Sequence, residues 1–426
     1  MSRISTNAEA WEILFKELNI LKRIKKDGHF IITANKINEY REARLMTKFD
    51  SSDALPKIFK NNKLSILPIA SGEYMIANFC TYKSFEKINA EIEKIPSLDY
   101  IQSIDFNNIN SESVAINCAY ITEMLQDFLG EEKLLPTISG KMGSGEFNFY
   151  IETTNETKIL VSVKNSRIEI DGGYEGINSL AIIEAKNLVS NDFMVRQLYY
   201  PYRIWKSKVS KKVRPIYLVY SNGIFDLYEY TFDEIENYSS SRLIKHKRYS
   251  IEDTNIELKD IEEILSKVAI IKEPNIPFPQ ANSFERVINL CELLLDNSQT
   301  KNYITDNYMF DKRQTDYYTR ACMYLGLVQK EKNMDNKVIF SLTELGKSIL
   351  SKKYKQRQLM LVSQILSHEV FNNILRQYFL DGVMPDDQSI VNNMKKCKLY
   401  NIKEDSTYIR RASTIKGWLE WIVGLL

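Results

Sequence analysis

Apolar residues follow two different spacings along the chain of 426 residues. In residues 8–24 and 111–128 they recur at every third or fourth position, which predicts amphipathic helices. In residues 147–163 and 215–230 they form short runs interrupted by Asn or Gly, which predicts β-strands joined by tight turns. From residue 284 onward helical spacing prevails. The pattern predicts an α+β fold that ends in a mainly helical region.

Two stretches rich in turn-forming residues divide this pattern. Residues 273–279 contain three prolines, which predicts an extended connector. Residues 106–111 are rich in asparagine and mark a softer boundary. We therefore expect four parts: an N-terminal α+β module (1–108), a central mixed β-sheet flanked by helices (109–272), and two mainly helical modules (280–355 and 356–426).

Charged side chains interrupt an otherwise apolar hairpin in the central part. Residues 167–171 and 180–183 are the predicted strands, and Gly172-Gly173 is the predicted turn. Three charged side chains then fall at the strand ends: Asp171, Glu184 and Lys186.

These three charges predict a metal site. Glu184 and Lys186 are two positions apart, so both leave the same face of the sheet, a face that Asp171 can share. Two carboxylates and an ammonium are costly to gather unless another charge compensates them. Mg²⁺ supplies that charge and takes one or two carboxylates together with water and phosphate oxygens, which predicts phosphodiester hydrolysis.

The spacing resembles the Asp…(Asp/Glu)-X-Lys signature of the PD-(D/E)XK nuclease superfamily, because Glu184 follows Asp171 by thirteen residues. Ile170 stands where the superfamily usually has proline. The resemblance implies a core of helix, strands, acidic hairpin, helix and strand, which is the order predicted here. It also implies that Asp171 and Glu184 hold the metal with the backbone carbonyl of Ala185, and that Lys186 orients or activates the attacking water.

Three further residues are open candidates for this site. Glu169 lies on the same predicted strand face as Asp171, and Glu175 lies in the predicted loop. Gln197 lies in a helix predicted for residues 191–205, which resembles the glutamine-containing helix of several superfamily members. The alternative interpretation is that all these charges cap exposed strand ends, since an acid two positions before a lysine is common by chance.

The N-terminal module begins with the helix at 8–24 and continues with short strands at 31–33, 64–67 and 74–77. Arg41, Arg44 and Lys48 lie close together and are candidates to hold phosphates or read guanines, or else form a solvated surface. Residues 41–69 also resemble the amino-terminal part of a group of predicted prokaryotic type II restriction endonucleases.

Residues 284–342 resemble a winged helix-turn-helix. Helices are predicted at 284–295, 303–310 and 312–325, and two wing strands at 328–332 and 337–342. The resemblance implies that the third helix enters the DNA major groove, with Arg313 and Gln314 as leading base readers. The candidate DNA-binding residues of this helix are Lys312, Arg313, Gln314, Tyr317 and Arg320.

A related pattern recurs near the C-terminus, where residues 408–412 match residues 317–321 at tyrosine, arginine and alanine. The match suggests a second helix-turn-helix, with helices at 389–399 and 407–423. Its exposed DNA-binding candidates are Arg410, Arg411, Thr414 and Lys416. Helix-turn-helix folds also serve as protein interaction modules, so fold alone does not decide the partner.

The net charge does not indicate a polyanionic partner, because 57 basic and 55 acidic residues leave a net charge of only +2. The five cysteines are far apart and form no Cys-X-X-Cys pair, so we expect neither a zinc site nor a disulfide framework. No segment has the apolar length of a membrane span, and we expect a cytoplasmic protein.

Together these patterns predict a type II restriction endonuclease that uses Mg²⁺ to cut double-stranded DNA at a specific sequence. The superfamily resemblance implies 5′-phosphate products, a homodimer if the site is palindromic, and a separate cognate DNA methyltransferase. Two alternatives remain open: a structure-specific repair or recombination nuclease, and a non-enzymatic transcription regulator that keeps only the helix-turn-helix modules.

Overall fold

The computed structural model describes residues 6–86, 90–98, 100–106, 109–308, 310, 312–333, 336–402 and 404–426. These residues form two compact units. The first unit takes the described residues of Met1–Glu93, Ser111–Tyr220 and Ile224–Tyr249, and the second takes those of Lys94–Asn110, Ser221–Gly223 and Ser250–Leu426.

The first unit combines helices and strands throughout, which confirms the predicted α+β class. Its helices are α1 (Asn7–Glu17), α2 (Ile20–Asp27), α3 (Ala34–Asn38), α4 (Ala43–Met46), α5 (Lys57–Asn61), α6 (Glu112–Ile121), α7 (Met124–Leu129) and α8 (Arg196–Lys208). Its strands are β1 (Phe30–Thr33), β2 (Ser65–Ala70), β3 (Glu73–Ala77), β4 (Tyr82–Ser84), β5 (Ile92–Lys94), β6 (Leu135–Gly143), β7 (Glu146–Glu152), β8 (Lys158–Lys164), β9 (Arg167–Glu175), β10 (Ser179–Lys186), β11 (Asp192–Met194), β12 (Lys212–Ser221), β13 (Ile224–Phe232) and β14 (Ser241–Ser250).

The strands of the first unit form two large sheets and one small sheet, in which β4 pairs with β11. A seven-stranded sheet has the order β5-β14-β13-β12-β10-β9-β6, and a five-stranded sheet has the order β1-β3-β2-β8-β7. In the larger sheet β10 runs parallel to β12 and antiparallel to β9, so this sheet is mixed. The smaller sheet contains β1, β2 and β3 from before the predicted boundary at residues 106–111 and β7 and β8 from after it.

Strand β10 lies at the centre of the larger sheet, and every residue from Ser179 to Lys186 is buried. Helices α6 and α8 both pack against β9 and β10. A strand covered on both faces is expected to be an almost continuous apolar run, and Leu180–Ile183 fits that description. Glu184 and Lys186 are therefore the exceptional residues of this strand.

The Gly172-Gly173 turn prediction is wrong, because both glycines lie inside β9 and the chain reverses at residues 176–178. The physical reason is close packing against the neighbouring strand β6. A Cβ atom at Gly173 would lie 2.6 Å from the Cβ of Ile138. At Gly172 the nearest atoms would belong to Tyr174 and to Ile116 of α6, at 3.0 and 3.2 Å. Both glycines are thus needed for close packing, and the hairpin is longer than predicted.

Three other predicted elements differ from the structure. The helix at 8–24 is divided into α1 and α2 at Asn19, and the helix at 111–128 into α6 and α7 at Glu123; both residues have positive φ, 51° and 63°. Residues 192–194 form β11 instead of starting a helix, because they pair antiparallel with β4, and the Asp192 carboxylate accepts a hydrogen bond from the Ser52 amide at 2.8 Å. The hairpin through Asn222-Gly223 is confirmed, with φ values of 54° and 79°.

The second unit is mainly helical. Its helices are α9 (Leu258–Lys267), α10 (Phe284–Leu293), α11 (Lys301–Asn307), α12 (Lys312–Tyr324), α13 (Glu344–Leu350), α14 (Tyr354–Leu366), α15 (Glu369–Asp381), α16 (Asp387–Lys396) and α17 (Asp405–Val423). A small sheet has the order β15-β17-β16, built from β15 (Gln299–Thr300), β16 (Val328–Lys332) and β17 (Val338–Leu342).

The predicted connector at residues 273–279 contains neither helix nor strand. It is nevertheless part of the second unit's core, because the fully buried ring of Phe278 contacts Tyr324 and Phe371. Within the described residues, no helix has both the length and the apolar character that crossing a membrane requires.

Replacing Gly173 by alanine should destabilise the first unit by about 1–3 kcal/mol, because the new methyl group would overlap Ile138. Gly143→Ala on β6 is the matched control, since the nearest atom to its Cβ would be 4.0 Å away, and its effect should stay within about 0.5 kcal/mol. Thermal unfolding followed by circular dichroism measures both. Equal melting temperatures for the two variants would contradict the packing argument.

Candidate active site

The three principal candidate residues lie on the two neighbouring strands β9 and β10. Gly172 pairs with Ile183 in the antiparallel register, so the next step along the strands brings Asp171 level with Glu184. The Ala185 amide donates a hydrogen bond to Asp171 Oδ2 at 2.9 Å. The structure thus brings together the residues that the sequence placed at separate strand ends.

Glu184 is held from two sides through one oxygen. The Lys186 ammonium donates to Glu184 Oε1 at 2.5 Å, and the Gln197 side-chain amide donates to the same oxygen at 2.5 Å. Gln197 is in the first turn of α8, which packs on β10. Gln197 therefore lies in direct contact with Glu184.

Burial sets the electrostatics of this pair, because Glu184 and Lys186 are each only 7% exposed. Burial raises the pKa of the Glu184 carboxyl to about 8, although Lys186 opposes the shift. Burial lowers the pKa of the Lys186 ammonium, but the carboxylates of Glu184 and Asp50 outweigh it and hold that pKa well above its usual value. The lysine stays charged in the absence of solvent.

Sequence analysis missed two acidic residues beside this pair. Asp50 is 6% exposed, lies near Lys186, and is fixed through its backbone carbonyl, which accepts a hydrogen bond from the Met194 amide at 2.9 Å. Glu112, in the first turn of α6, has its Oε1 3.7 Å from Lys186 Nζ, and burial raises its pKa. No local sequence pattern links either residue to the hairpin, since only the fold brings them together.

These side chains line a cleft with a volume of about 500 Å³. The buried Glu184 and Lys186 lie at its floor, while Asp171 and Glu112 are more accessible. Positively charged side chains also line it, most of them exposed: Arg44, Lys48, Lys141, Arg167 and Arg196. Of the N-terminal candidates, Arg44 and Lys48 thus reach the cleft, whereas Arg41 does not line it.

The two alternative acids, Glu169 and Glu175, lie in different places relative to the cleft. Glu169 lines the cleft but is exposed, and its carboxylate lies 3.6 Å from Lys141 Nζ. Glu175 lies at the far end of β9, where Lys211 Nζ pairs with it at 2.6 Å, and it does not line the cleft. Asp171 is the acid that the fold places beside Glu184.

The donor atoms available in the cleft suit a hard divalent cation such as Mg²⁺. They are carboxylate oxygens of Asp171 and Glu184, together with Gln197 Oε1, which is buried and has no hydrogen-bond partner in the described structure. The Ala185 carbonyl accepts a bond from Lys186 Nζ at 3.1 Å. Within the described ranges, no three His, Cys, Asp or Glu side chains form a metal-binding group, and Mg²⁺ sites commonly use only one or two carboxylates.

The candidate DNA-binding residues of the second unit lie on α12 and α17. Arg313, Arg320, Arg410 and Lys416 are exposed, and Gln314, Tyr317 and Arg411 are half-buried. The side chain of Lys312 lies outside the described part of the chain. The exposure predicted for Thr414 is wrong, because its hydroxyl is fully buried and bonds the backbone of Pro279 and Ala281.

Three protein-family models match consecutive parts of the chain, and each is described as a domain of unknown function. They are DUF6996 over residues 8–76, DUF6997 over residues 77–250 and DUF7226 over residues 286–426. The comparisons with curated proteins and with solved structures gave no match. Asp171 and Glu184 lie in the part matched by DUF6997, whereas the part matched by DUF6996 supplies almost half of the residues that line the cleft.

Replacing Lys186 by methionine should destabilise the metal-free protein by about 3 kcal/mol, because it leaves the buried Glu184 carboxyl without its compensating charge. The double variant Glu184→Gln/Lys186→Met should recover a large part of that loss, since both charges are then gone. Thermal and urea unfolding in EDTA measure the cycle.

Lys211→Met is the matched control for this cycle. Lys211 forms an equally short but half-exposed pair with Glu175, so its loss should cost only about 1 kcal/mol or less. Strictly additive effects of the Glu184 and Lys186 replacements would contradict the inferred coupling.

Proposed function

We propose that the protein is a type II restriction endonuclease of the PD-(D/E)XK superfamily, which hydrolyses phosphodiester bonds of double-stranded DNA with Mg²⁺. One observation carries the proposal. Asp171, Glu184 and Lys186 converge on adjacent strands at a cleft of about 500 Å³ that is lined by exposed cations. A polyanion that enters this cleft meets positive charge at the edge and carboxylates at the floor.

Each residue has a role that follows from its position. Asp171 and Glu184 are the metal-holding carboxylates, and the Ala185 carbonyl and Gln197 Oε1 are the neighbouring neutral oxygens. Bound Mg²⁺ would supply Lewis-acid neutralisation of the charge that develops on the scissile phosphate. Lys186 Nζ orients the attacking water and donates to it, because its ammonium is fixed by Glu184 at the cleft floor.

The arrangement of secondary structure supports the family assignment. Helix α6, the β9–β10 hairpin, helix α8 and the parallel strand β12 follow one another along the chain and pack together. This is the order that the resemblance implies for the superfamily core. The fold therefore supports the proposal independently of the spacing between Asp171 and Glu184.

The second unit supports a sequence-specific enzyme over a general nuclease. The order α10, β15, α11, α12, β16, β17 is the order of a winged helix-turn-helix, with α12 in the position of the DNA-reading helix. The proposal accordingly includes recognition of a defined sequence and 5′-phosphate products. It also includes a homodimer at palindromic sites and a separate cognate DNA methyltransferase.

Incubation of the purified protein with phage DNA should give discrete bands with Mg²⁺ and none with EDTA. Asp171→Asn and Lys186→Ala should each reduce the cleavage rate by at least about 100-fold, because each removes a group that acts on the reacting atoms. Glu175→Gln is the matched control on the same strand and should keep full activity, since Glu175 is outside the cleft.

The same assay separates the alternatives. A smear from every duplex, or cleavage only at junctions and mismatches, would favour a repair or recombination nuclease over a restriction enzyme. Intact DNA under all metal and salt conditions would count against the enzyme and leave the transcription regulator. Activity lost in Glu175→Gln but kept in Asp171→Asn would reassign the metal-holding acid.

Mg²⁺ should also raise the melting temperature of the wild-type protein, because a ligand that binds only the folded state stabilises it. At a free concentration about 100 times Kd the stabilisation is about 2.7 kcal/mol. Asp171→Asn should lose this shift, while Glu175→Gln should keep it. Differential scanning fluorimetry across a Mg²⁺ series provides the measurement, and an identical shift in all three proteins would place the binding site elsewhere.

A further inference from the structure

Two helices of the second unit, α12 and α17, pack on the same helix, α10. Cys322 Sγ of α12 donates to the Val287 carbonyl of α10 at 3.6 Å. Phe284 of the same helix contacts the rings of Trp418 and Trp421 of α17 at 5.1 and 4.3 Å. The two segments that repeat a Tyr-X-X-Arg-Ala pattern are thus held by one common support.

Helix α12 has a row of polar side chains on the face that does not pack on α10. Arg313, Tyr317 and Arg320 are spaced four and three residues apart, which places them on the same helical face. Arg313 Nε donates to the Tyr317 hydroxyl, and its guanidinium lies 5.3 Å from the centre of the Tyr317 ring. The opposite face is buried through Thr315, Thr319 and Cys322.

Helix α17 brings two more arginines to this row. Burial lowers the pKa of the half-buried Arg411 guanidinium, and Arg320 and Arg410 lower it further, while Tyr317 opposes them. Its Nε is buried and has no hydrogen-bond partner within the described residues. Arg411 therefore lies among Tyr317 and Arg320 of α12 as well as its own neighbour Arg410.

These three arginines of α12 and α17 lie near one another, and the described residues place no acidic partner against them. Within the ranges that the structure describes, Arg320, Arg410 and Arg411 form no ion pair, although neighbouring lysines do: Lys301 pairs with Asp316 at 2.5 Å, and Lys395 with Asp405 at 2.7 Å. Like charges that converge without acids disfavour the isolated protein, and an anionic partner would remove that cost.

We infer that Arg320, Arg410 and Arg411 form a binding surface for the phosphate backbone of double-stranded DNA, so that α17 completes a contact that α12 begins. We refer to these three residues as the arginine surface. The inference rests on the proposed function for the choice of DNA as the partner. Guanidinium groups bind phosphate through paired N–H donors, and the exposed Arg320 and Arg410 and the half-buried Arg411 supply three such groups.

The arginine surface has a distinct place in DNA recognition. Backbone contacts fix the register of a protein on the duplex, while contacts to base edges specify the sequence. Arg313 and Gln314, nearer the start of α12, are the candidates for base edges, and the arginine surface lies toward the other end of that helix. Its loss should therefore weaken binding to all sequences about equally.

The test measures binding by the full-length protein to a short fluorescein-labelled duplex of mixed sequence, with EDTA present to prevent cleavage. Arg320→Ala/Arg410→Ala should raise Kd by about 10-fold or more near 0.1 M salt and reduce the slope of log Kd against log salt concentration by about two. Both positions are exposed, so the fold should survive, and circular dichroism melting checks it. Arg411→Gln should show a further single-charge loss.

Lys396→Ala is the matched control, because Lys396 is an exposed cation of the second unit that belongs to α16 and to neither α12 nor α17. Its effect on Kd should be less than about twofold. An equal loss in Lys396→Ala, an unchanged salt slope in the double arginine variant, or tighter binding to RNA than to DNA would each overturn the inference.

The outcome is separable from that of the nuclease proposal. Binding is measured in EDTA and cleavage in Mg²⁺, so the two experiments report on the arginine surface and on the cleft separately. Protein that binds through the arginine surface but never cuts would defeat the nuclease alone. Protein that cuts DNA with undiminished affinity after loss of Arg320 and Arg410 would defeat only the surface.

Discussion

The buried pair of Glu184 and Lys186 is the constraint that the first unit is built to satisfy. A carboxylate and an ammonium on a fully buried strand are stable only if each keeps partners, because neither retains water. Gln197 from α8 supplies one partner, and Asp50 from the N-terminal segment and Glu112 from α6 supply nearby negative charge. Residues from two helices and from the N-terminal segment thus interact with Glu184 and Lys186.

The sequence predicted the centre of this site but not its surroundings. Asp171, Glu184 and Lys186 belong to one hairpin, so strand periodicity alone could place them together. Asp50 comes from a distant segment, and its position depends on a backbone bond to Met194 that no periodicity encodes. Gly172-Gly173 suggested a turn for a related reason, since their role in close packing depends on β6 lying beside Gly173 and on α6 lying beside Gly172.

In the second unit, helical periodicity predicted α10, α11, α12, α16 and α17 to within a few residues, whereas α9, α14 and α15 were not predicted. One error is instructive. Thr414 is polar and follows two arginines, which suggested exposure. It nevertheless precedes Trp418 and Trp421 by four and seven residues, so it lies on the buried face with them. Chemical character and helical position gave opposite indications, and position was the better guide because the tryptophans fix the face of α17 that turns inward.

The five-stranded sheet has a consequence for how this protein can vary. Strand β3 ends at Ala77, where one matched stretch gives way to the next. The five-stranded sheet combines β1, β2 and β3 with β7 and β8, which come from the second stretch. Recombination that exchanged the segment before that junction would also replace Lys48 and Asp50, which line the cleft. The two stretches should therefore be inherited together, because a foreign amino-terminal segment would bring sheet strands and a cleft wall that do not fit the rest of the unit.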